Sequence, residues 1–198
     1  MAGVIQQMLM SACETSRACA TVVTVWDWAK AFERYTTTPR GLPARGPRFA
    51  TGDDQVPKQL IESAQRLYSS LCASQREPRL LHGDLHHYNV LFDSARGWLA
   101  IDPKGVVGEV GYEIGAILRN PIERPELFTS RATIERRIKQ FIEKLNVDYE
   151  RVLAWGFAQA VLSAIWDIED GFPVDATNPA LRLAMAIQPM LPGKVAGQ

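Results

Sequence analysis

Histidine is scarce in this chain: its 198 residues hold three, His82, His86 and His87, all within the stretch LLHGDLHHYNVLF. A two-metal hydrolase centre needs further histidine ligands spread downstream, and none follows His87. Cysteine is equally sparse. Cys13, Cys19 and Cys72 form no C-x-x-C pair and leave an odd thiol, which excludes a disulfide framework and fits reduced residues. Charge of either sign is not in excess, with Lys+Arg at 22 and Asp+Glu at 22, so neither nucleic acid nor an anionic membrane is an expected partner. The opening MAGVIQQMLM lacks the basic start and long apolar run of a signal peptide, and no apolar segment is long enough to span a bilayer. With 46% hydrophobic residues, the chain can build a core, and the expectation is a cytoplasmic globular protein.

Apolar spacing predicts helices over 3–20 and 24–35, then a Pro/Gly/Thr-rich connection over 36–54. A third helix is expected over Val56–Cys72, with Leu60, Ile61, Ala64, Leu67 and Leu71 on one stripe. The texture then changes. Asn89–Phe92 and Trp98–Asp102 are short apolar runs around DSARG, the signature of a β-hairpin. Helices resume over Thr133–Val147, with a Thr start, and then from an Asp148 N-cap to a stop at Gly171. The long helix carries a core stripe of Leu153, Phe157, Val161 and Ile165, and a last helix is expected over Pro179–Leu191. Trp26, Trp28, Trp155 and Trp166 fall in helical patterns and read as core. The fold class is α+β, mostly helical, as one unit: leading helices (1–79), a catalytic loop with its hairpin and turn (80–105), and C-terminal helices (106–198).

His82 to Asn89 has the H-x-D-L-x-x-x-N spacing of a kinase catalytic loop. The hairpin's second strand ends in Ile101-Asp102-Pro103-Lys104-Gly105, a D-x-x-G where kinases carry a metal-binding Asp-Phe-Gly. Phosphoryl transfer needs a carboxylate at the acceptor hydroxyl, and an amide with a second carboxylate to hold Mg²⁺ on the nucleotide phosphates. A tight loop followed by a hairpin brings these three together. His82 is then structural, tying the loop by hydrogen bonds. The alternative, that Asp84, Asn89 and Asp102 are ordinary turn residues, applies to each singly; their order around a hairpin favours the catalytic reading.

The block HGDLHHYNVLF, with GWLAIDPKGVVGEVGYEIGAILRNP after it, closely resembles the aminoglycoside/hydroxyurea antibiotic resistance kinases, the group that includes streptomycin 6-phosphotransferases. VWDWAKAFERY and ERVLAWGFAQAVLSAIWDIEDG resemble helices of the same family, so the likeness runs over most of the chain. The resemblance implies a protein-kinase-like fold, ATP and Mg²⁺ as cofactors, and transfer of the γ-phosphate to an alcohol on a cationic aminoglycoside. By motif match it makes Asp84 the catalytic base and Asn89 and Asp102 the metal ligands. Glu113 stands where the family often has Asp; it suits a helix N-terminus, but its extra methylene changes its reach toward the loop.

Ahead of His82 there is no G-x-G-x-x-G, and Lys30 and Lys58 lie in helical patterns rather than a Val/Ile-rich strand. The expectation is a catalytic C-terminal lobe without its ATP lobe, which opens the way to self-association or a separate N-lobe. Lys104, in place of the usual aromatic, is a candidate for phosphate oxygens. Carboxylates that could hold a polycation are Asp167, Glu169, Asp170 and Asp175 in WDIEDGFPVD, whose position at a helix C-terminus opposes the macrodipole, and Glu109. Two further readings stay open: a metabolic kinase for a choline- or sugar-like alcohol, and a lobe that binds a ligand or partner without transfer.

Overall fold

The computed structural model describes residues 23–24 and 55–193. The helices expected over 3–20 and 25–35, the connection over 36–54, and the residues Cys13, Cys19, Trp26, Trp28 and Lys30 lie outside the described residues. Thr24, expected to open a helix, instead lies in the strand β1 (Val23–Thr24).

Helix α1 (Lys58–Ala73) is amphipathic and buries Leu60, Ile61, Ala64, Tyr68 and Leu71. Strands β2 (Arg79–Leu81) and β5 (Val106–Gly108) pair antiparallel, with Leu80 opposite Val107, and β1 pairs parallel to β5, giving the order β1-β5-β2. Between β2 and β5 the chain makes the loop 82–89 and a separate hairpin, β3 (Val90–Asp93) with β4 (Gly97–Ala100). Asp93 closes the hairpin by accepting the backbone N–H groups of Ala95 and Arg96.

Four helices complete the described fold. Helix α2 (Val110–Leu118) follows β5 directly, and α3 (Arg131–Leu145) starts from Ser130, whose hydroxyl caps Thr133 N. The expected start at Thr133 is therefore displaced by three residues to Ser130, four before the first buried apolar residue, Ile134. Helix α4 (Tyr149–Glu169) begins at the Asp148 cap, and α5 (Pro179–Ile187) begins at an Asn178 cap. Helix α4 is the centre of the described fold. Every residue from Val152 to Ile165 is buried, rather than the single stripe expected, because α1, α2 and α5 all pack on it. Trp155 is fully buried, while Trp166 is partly buried against the same core.

The close crossing of α2 on α4 depends on Gly111 and Gly115. A Cβ at Gly111 would stand 2.7 Å from Trp155 Cδ1, and one at Gly115 would stand 3.0 Å from the Trp155 carbonyl oxygen. That approach fixes α2 against the core, and α2 in turn holds the loop 82–89. No helix among the described residues is long and apolar enough to cross a membrane.

Candidate active site

The segment after β4 is stitched to both ends of the loop. Ile101 N donates to Asn89 O at 3.0 Å, and Lys104 N donates to His82 O at 2.7 Å. Asp102 lies between these two ties, so the hairpin returns it beside the loop that carries Asp84 and Asn89. It adopts a left-handed φ of 56°, a conformation that turns the chain sharply between its neighbours.

His82 is 1% exposed and ties the loop from inside. Its Nε2 donates to Ile101 O at 2.7 Å while its Nδ1 accepts from Asp84 N at 3.3 Å, an arrangement that suits the neutral Nε2–H ring. Gly83 takes φ +84°, and a Cβ there would lie 2.4 Å from Val106 Cγ2, so the loop can lie against β5 only with glycine at this position.

Glu113 closes the arrangement from α2. Fully buried, it accepts Gly83 N at 2.9 Å on one oxygen and Leu85 N at 3.0 Å on the other. The additional methylene is therefore used: the glutamate straddles Asp84 by holding the amides on both sides of it. Burial pushes its carboxyl above the ordinary range, and the Gly83 and Leu85 N–H groups pull it back.

The carboxylate of Asp84 itself accepts no hydrogen bond among the described residues. It is flanked by two longer contacts, His86 Nε2 at 3.7 Å and Arg119 at 3.8 Å. Asn89 is buried; its Nδ2 donates to the Asp84 carbonyl at 2.9 Å and lies 3.3 Å from His86 Nε2. His86 is held below the usual histidine range chiefly by burial, and its Nδ1 is buried without a partner. Lys104 Nζ bonds the Asp102 carboxylate at 2.8 Å, which lowers the pKa of Asp102 and raises that of Lys104. Among the described residues no three His, Cys, Asp or Glu side chains gather to hold a metal ion.

The carboxylates expected to hold a polycation differ in their engagement. Asp167 is half-buried and accepts Asn178 Nδ2 at 2.8 Å, while Glu169 and Asp170 are exposed at the end of α4. Asp175 is engaged with the Thr177 N–H and hydroxyl. Glu109 corrects the expectation made for it. It is buried, receives a two-pronged ion pair from Arg151 at 2.6 and 2.8 Å, and also accepts Arg76 N and Trp155 Nε1. Arg151 continues to the Leu71 and Ser74 carbonyls, so Glu109 serves to hold α1, α2 and α4 together and has no carboxylate face left for a ligand.

Arg119, at the end of α2, was not singled out from the sequence. It was legible as a charge directly after the apolar run IGAIL, where a buried guanidinium must find a partner. It donates to Gln159 Oε1 on α4 at 3.2 Å. Burial works against its charge, and the carboxylates of Asp84, Asp167 and Glu113 work for it.

The hairpin presents apolar side chains on both faces. Leu91 and Ile101 are exposed on one, and Phe92 and Trp98 meet edge to face at 5.3 Å on the other.

Comparison with known proteins gives a consistent answer. A protein family described as "Aminoglycoside/hydroxyurea antibiotic resistance kinase" matches residues 29–171. Among curated relatives, the streptomycin 3''-kinase of Klebsiella pneumoniae is 40% identical over 114 residues, 56% of this chain and 43% of the relative. The streptomycin 6-kinase of Streptomyces glaucescens is 30% identical over 164 residues, covering 76% of this chain and 52% of the relative. The hydroxyurea phosphotransferase of Kitasatospora aureofaciens is 32% identical over 168 residues, covering 79% and 46%. The chain thus spans about half the length of these relatives, or less. No solved structure matches.

Proposed function

We propose that this chain, which belongs to the aminoglycoside/hydroxyurea antibiotic resistance kinase family, carries the phosphoryl-transfer site of an ATP-dependent kinase whose acceptor is an alcohol on a streptomycin-like aminoglycoside. The observation that supports this best is the stitching of Asp84, Asn89 and Asp102 into one cluster by Ile101 N, Lys104 N and His82. In that reading Asp84 receives the acceptor's proton. The acceptor oxygen bonds the γ-phosphorus as the bond to the ADP oxygen breaks, and ADP leaves with the electron pair.

Asn89 and Asp102 would hold Mg²⁺. The donor set fits: one amide and one carboxylate, without a protein cage, suit a small cation that keeps waters and takes nucleotide oxygens. When bound, the ion would neutralise phosphate charge. Lys104 can then leave Asp102 for a phosphate oxygen, a point charge in reach of the same cluster. Asp167, with Glu169 and Asp170 beyond it, is the proposed seat for the acceptor's cationic groups.

The test is transfer from Mg·ATP to streptomycin and, in parallel, to hydroxyurea and choline, for the parent and Asp84→Asn. The expected result is transfer to streptomycin that disappears in Asp84→Asn. Transfer that persists in that variant removes Asp84 from the mechanism, and a preference for choline favours the metabolic-kinase reading. The exposed hairpin favours a second reading, a lobe that binds a partner or a second copy without transfer. Light scattering distinguishes them, because a monomer at high concentration counts against that second reading.

A further inference from the structure

Among the described residues three arginines are drawn into the interior, and two of them serve several acceptors. Arg137 donates to the Ile117, Leu118 and Asn120 carbonyls and so caps α2. Arg151 serves Glu109, Leu71 and Ser74. Arg119 differs. Its side chain is 12% exposed, yet among the described residues it makes one hydrogen bond, to Gln159, and leaves its other N–H donors without an acceptor. Its remaining close contact is the Asp84 carboxylate, at 3.8 Å.

That separation has a chemical consequence. At 3.8 Å the guanidinium stabilises the anion by charge, but it does not occupy a carboxylate lone pair. A hydrogen-bonded pair of the kind Arg151 makes with Glu109, its Nε–H shared between both carboxylate oxygens, would hold the anion more strongly and would also block it. Gln159 keeps the fork at this distance: its Oε1 receives Arg119, and its Nε2 donates to the Tyr112 carbonyl in α2. Besides Asp84, the acidic groups of Tyr112, Asp167 and Glu113 act electrostatically on the guanidinium.

We propose that Arg119 is a positioning residue for phosphoryl transfer, held by Gln159 so that it keeps the Asp84 carboxylate oriented by charge at 3.8 Å while leaving both carboxylate oxygens open to the acceptor hydroxyl. This rests on the phosphotransferase reading for its consequence in catalysis, and on the Asp84–Arg119 contact alone for its electrostatic basis. Arg119 thereby links the loop to α4 through Gln159.

The experiment has two arms. In the first, the unfolding equilibria of the parent, Arg119→Met, Asp84→Asn and the double variant form a cycle that needs no activity. The loss caused by Arg119→Met should be smaller in the Asp84→Asn background, by roughly fivefold or more in the unfolding constant. Arg119→Lys replaces Arg119→Met if the latter does not fold. In the second arm, Arg119→Ala is assayed for transfer to streptomycin with and without added guanidinium. We expect kcat to fall about 10²-fold, the KM for Mg·ATP to stay within about twofold, and guanidinium to restore kcat at least in part. A fall spread equally over kcat and KM, with no rescue, would mean a merely structural role. Additive losses in the cycle overturn the pairing whatever the transfer assay gives. If the parent transfers nothing to streptomycin, the phosphotransferase reading fails on its own, and the cycle still decides whether Arg119 compensates Asp84.

Discussion

Shortening Glu113 by one methylene probes how the loop is held. Its two oxygens accept Gly83 N and Leu85 N at 2.9 and 3.0 Å from a fully buried position. An aspartate cannot reach both amides from the same backbone, so one buried N–H loses its acceptor, at a cost of about 1–3 kcal/mol. Glu113→Ala orphans both and costs about 2–6 kcal/mol, a large part of the about 5–15 kcal/mol that holds a typical domain. Glu113→Asp is therefore the informative variant, because it should still fold. Hydrogen exchange reads the effect directly: the amide left without a partner should exchange faster, with the rest of α2 unchanged. A denaturant series should show the matching loss of stability. The pH dependence carries a sign. Burial raises the Glu113 carboxyl above its ordinary 4.5, so the folded state holds this proton to higher pH than the unfolded chain does. Its contribution to stability is then complete below the unfolded value and lost as pH rises through the folded one. Glu113→Gln, which cannot titrate, should lack that downward slope. A Glu113→Asp protein with both amides as protected as in the parent, and stability within about 0.5 kcal/mol, would refute the clamp.

Three further outcomes follow from buried contacts. Gly83→Ala meets both a left-handed φ and Val106 Cγ2 at 2.4 Å, so urea unfolding should show a loss of about 2–5 kcal/mol, the sum of backbone strain and overpacking. Arg151→Met leaves Glu109 as an uncompensated buried carboxylate and should cost about 3–5 kcal/mol, seen as a fall in Tm; Arg151→Lys should recover only part, because the fork is lost. The Cys72 thiol is pushed up to about 12 by burial and the nearby Glu109 charge, against the pull of Arg151. Peptide mapping after iodoacetamide at pH 8 should find Cys72 unmodified in the folded protein and alkylated after denaturation.

What the sequence made legible, and what it did not, follows from the range of each interaction. The hairpin was readable because its period and its turn are local: Asp93 binds amides two and three residues on. The Asp148 cap was readable for the same reason, its partner being Arg151 N. Strands β1, β2 and β5 are two or three residues long, too short for any period to register, and each exists through pairing with a distant segment. Helix α4 reads as amphipathic along the chain, yet three helices cover it, and no local pattern encodes how many neighbours arrive. Glu109 was misread for the same reason. Its charge is visible in the sequence, but Arg151, which neutralises it, lies 42 residues away. Arg119 was passed over because its significance depends on Asp84, which the fold brings to it from another element.

That long-range placement also bears on whether Asp84 is an ordinary turn residue. Aspartates that shape local structure in this chain use their carboxylates for it. Asp93 accepts two backbone N–H groups in the hairpin turn, Asp148 caps α4, and Asp175 accepts from Thr177 twice. Each would be replaceable by another turn or capping side chain at modest cost. Asp84 sits in a loop at least as tight, and its carboxylate takes part in none of the bonds that hold that loop. The loop is fixed instead by His82, Glu113, the Asn89 amide and two backbone ties, all engaging groups other than that carboxylate. A side chain that contributes nothing to its own loop, while a largely buried arginine stands beside it without binding it, brings no structural return. Chemistry at the carboxylate supplies that return, because a proton acceptor must be held rigidly and left open at the same time. Substituting Asp84→Asn should accordingly cost no more than the lost charge contact with Arg119, about 1–2 kcal/mol, while transfer is lost; a loss well beyond that would return Asp84 to the ranks of turn residues.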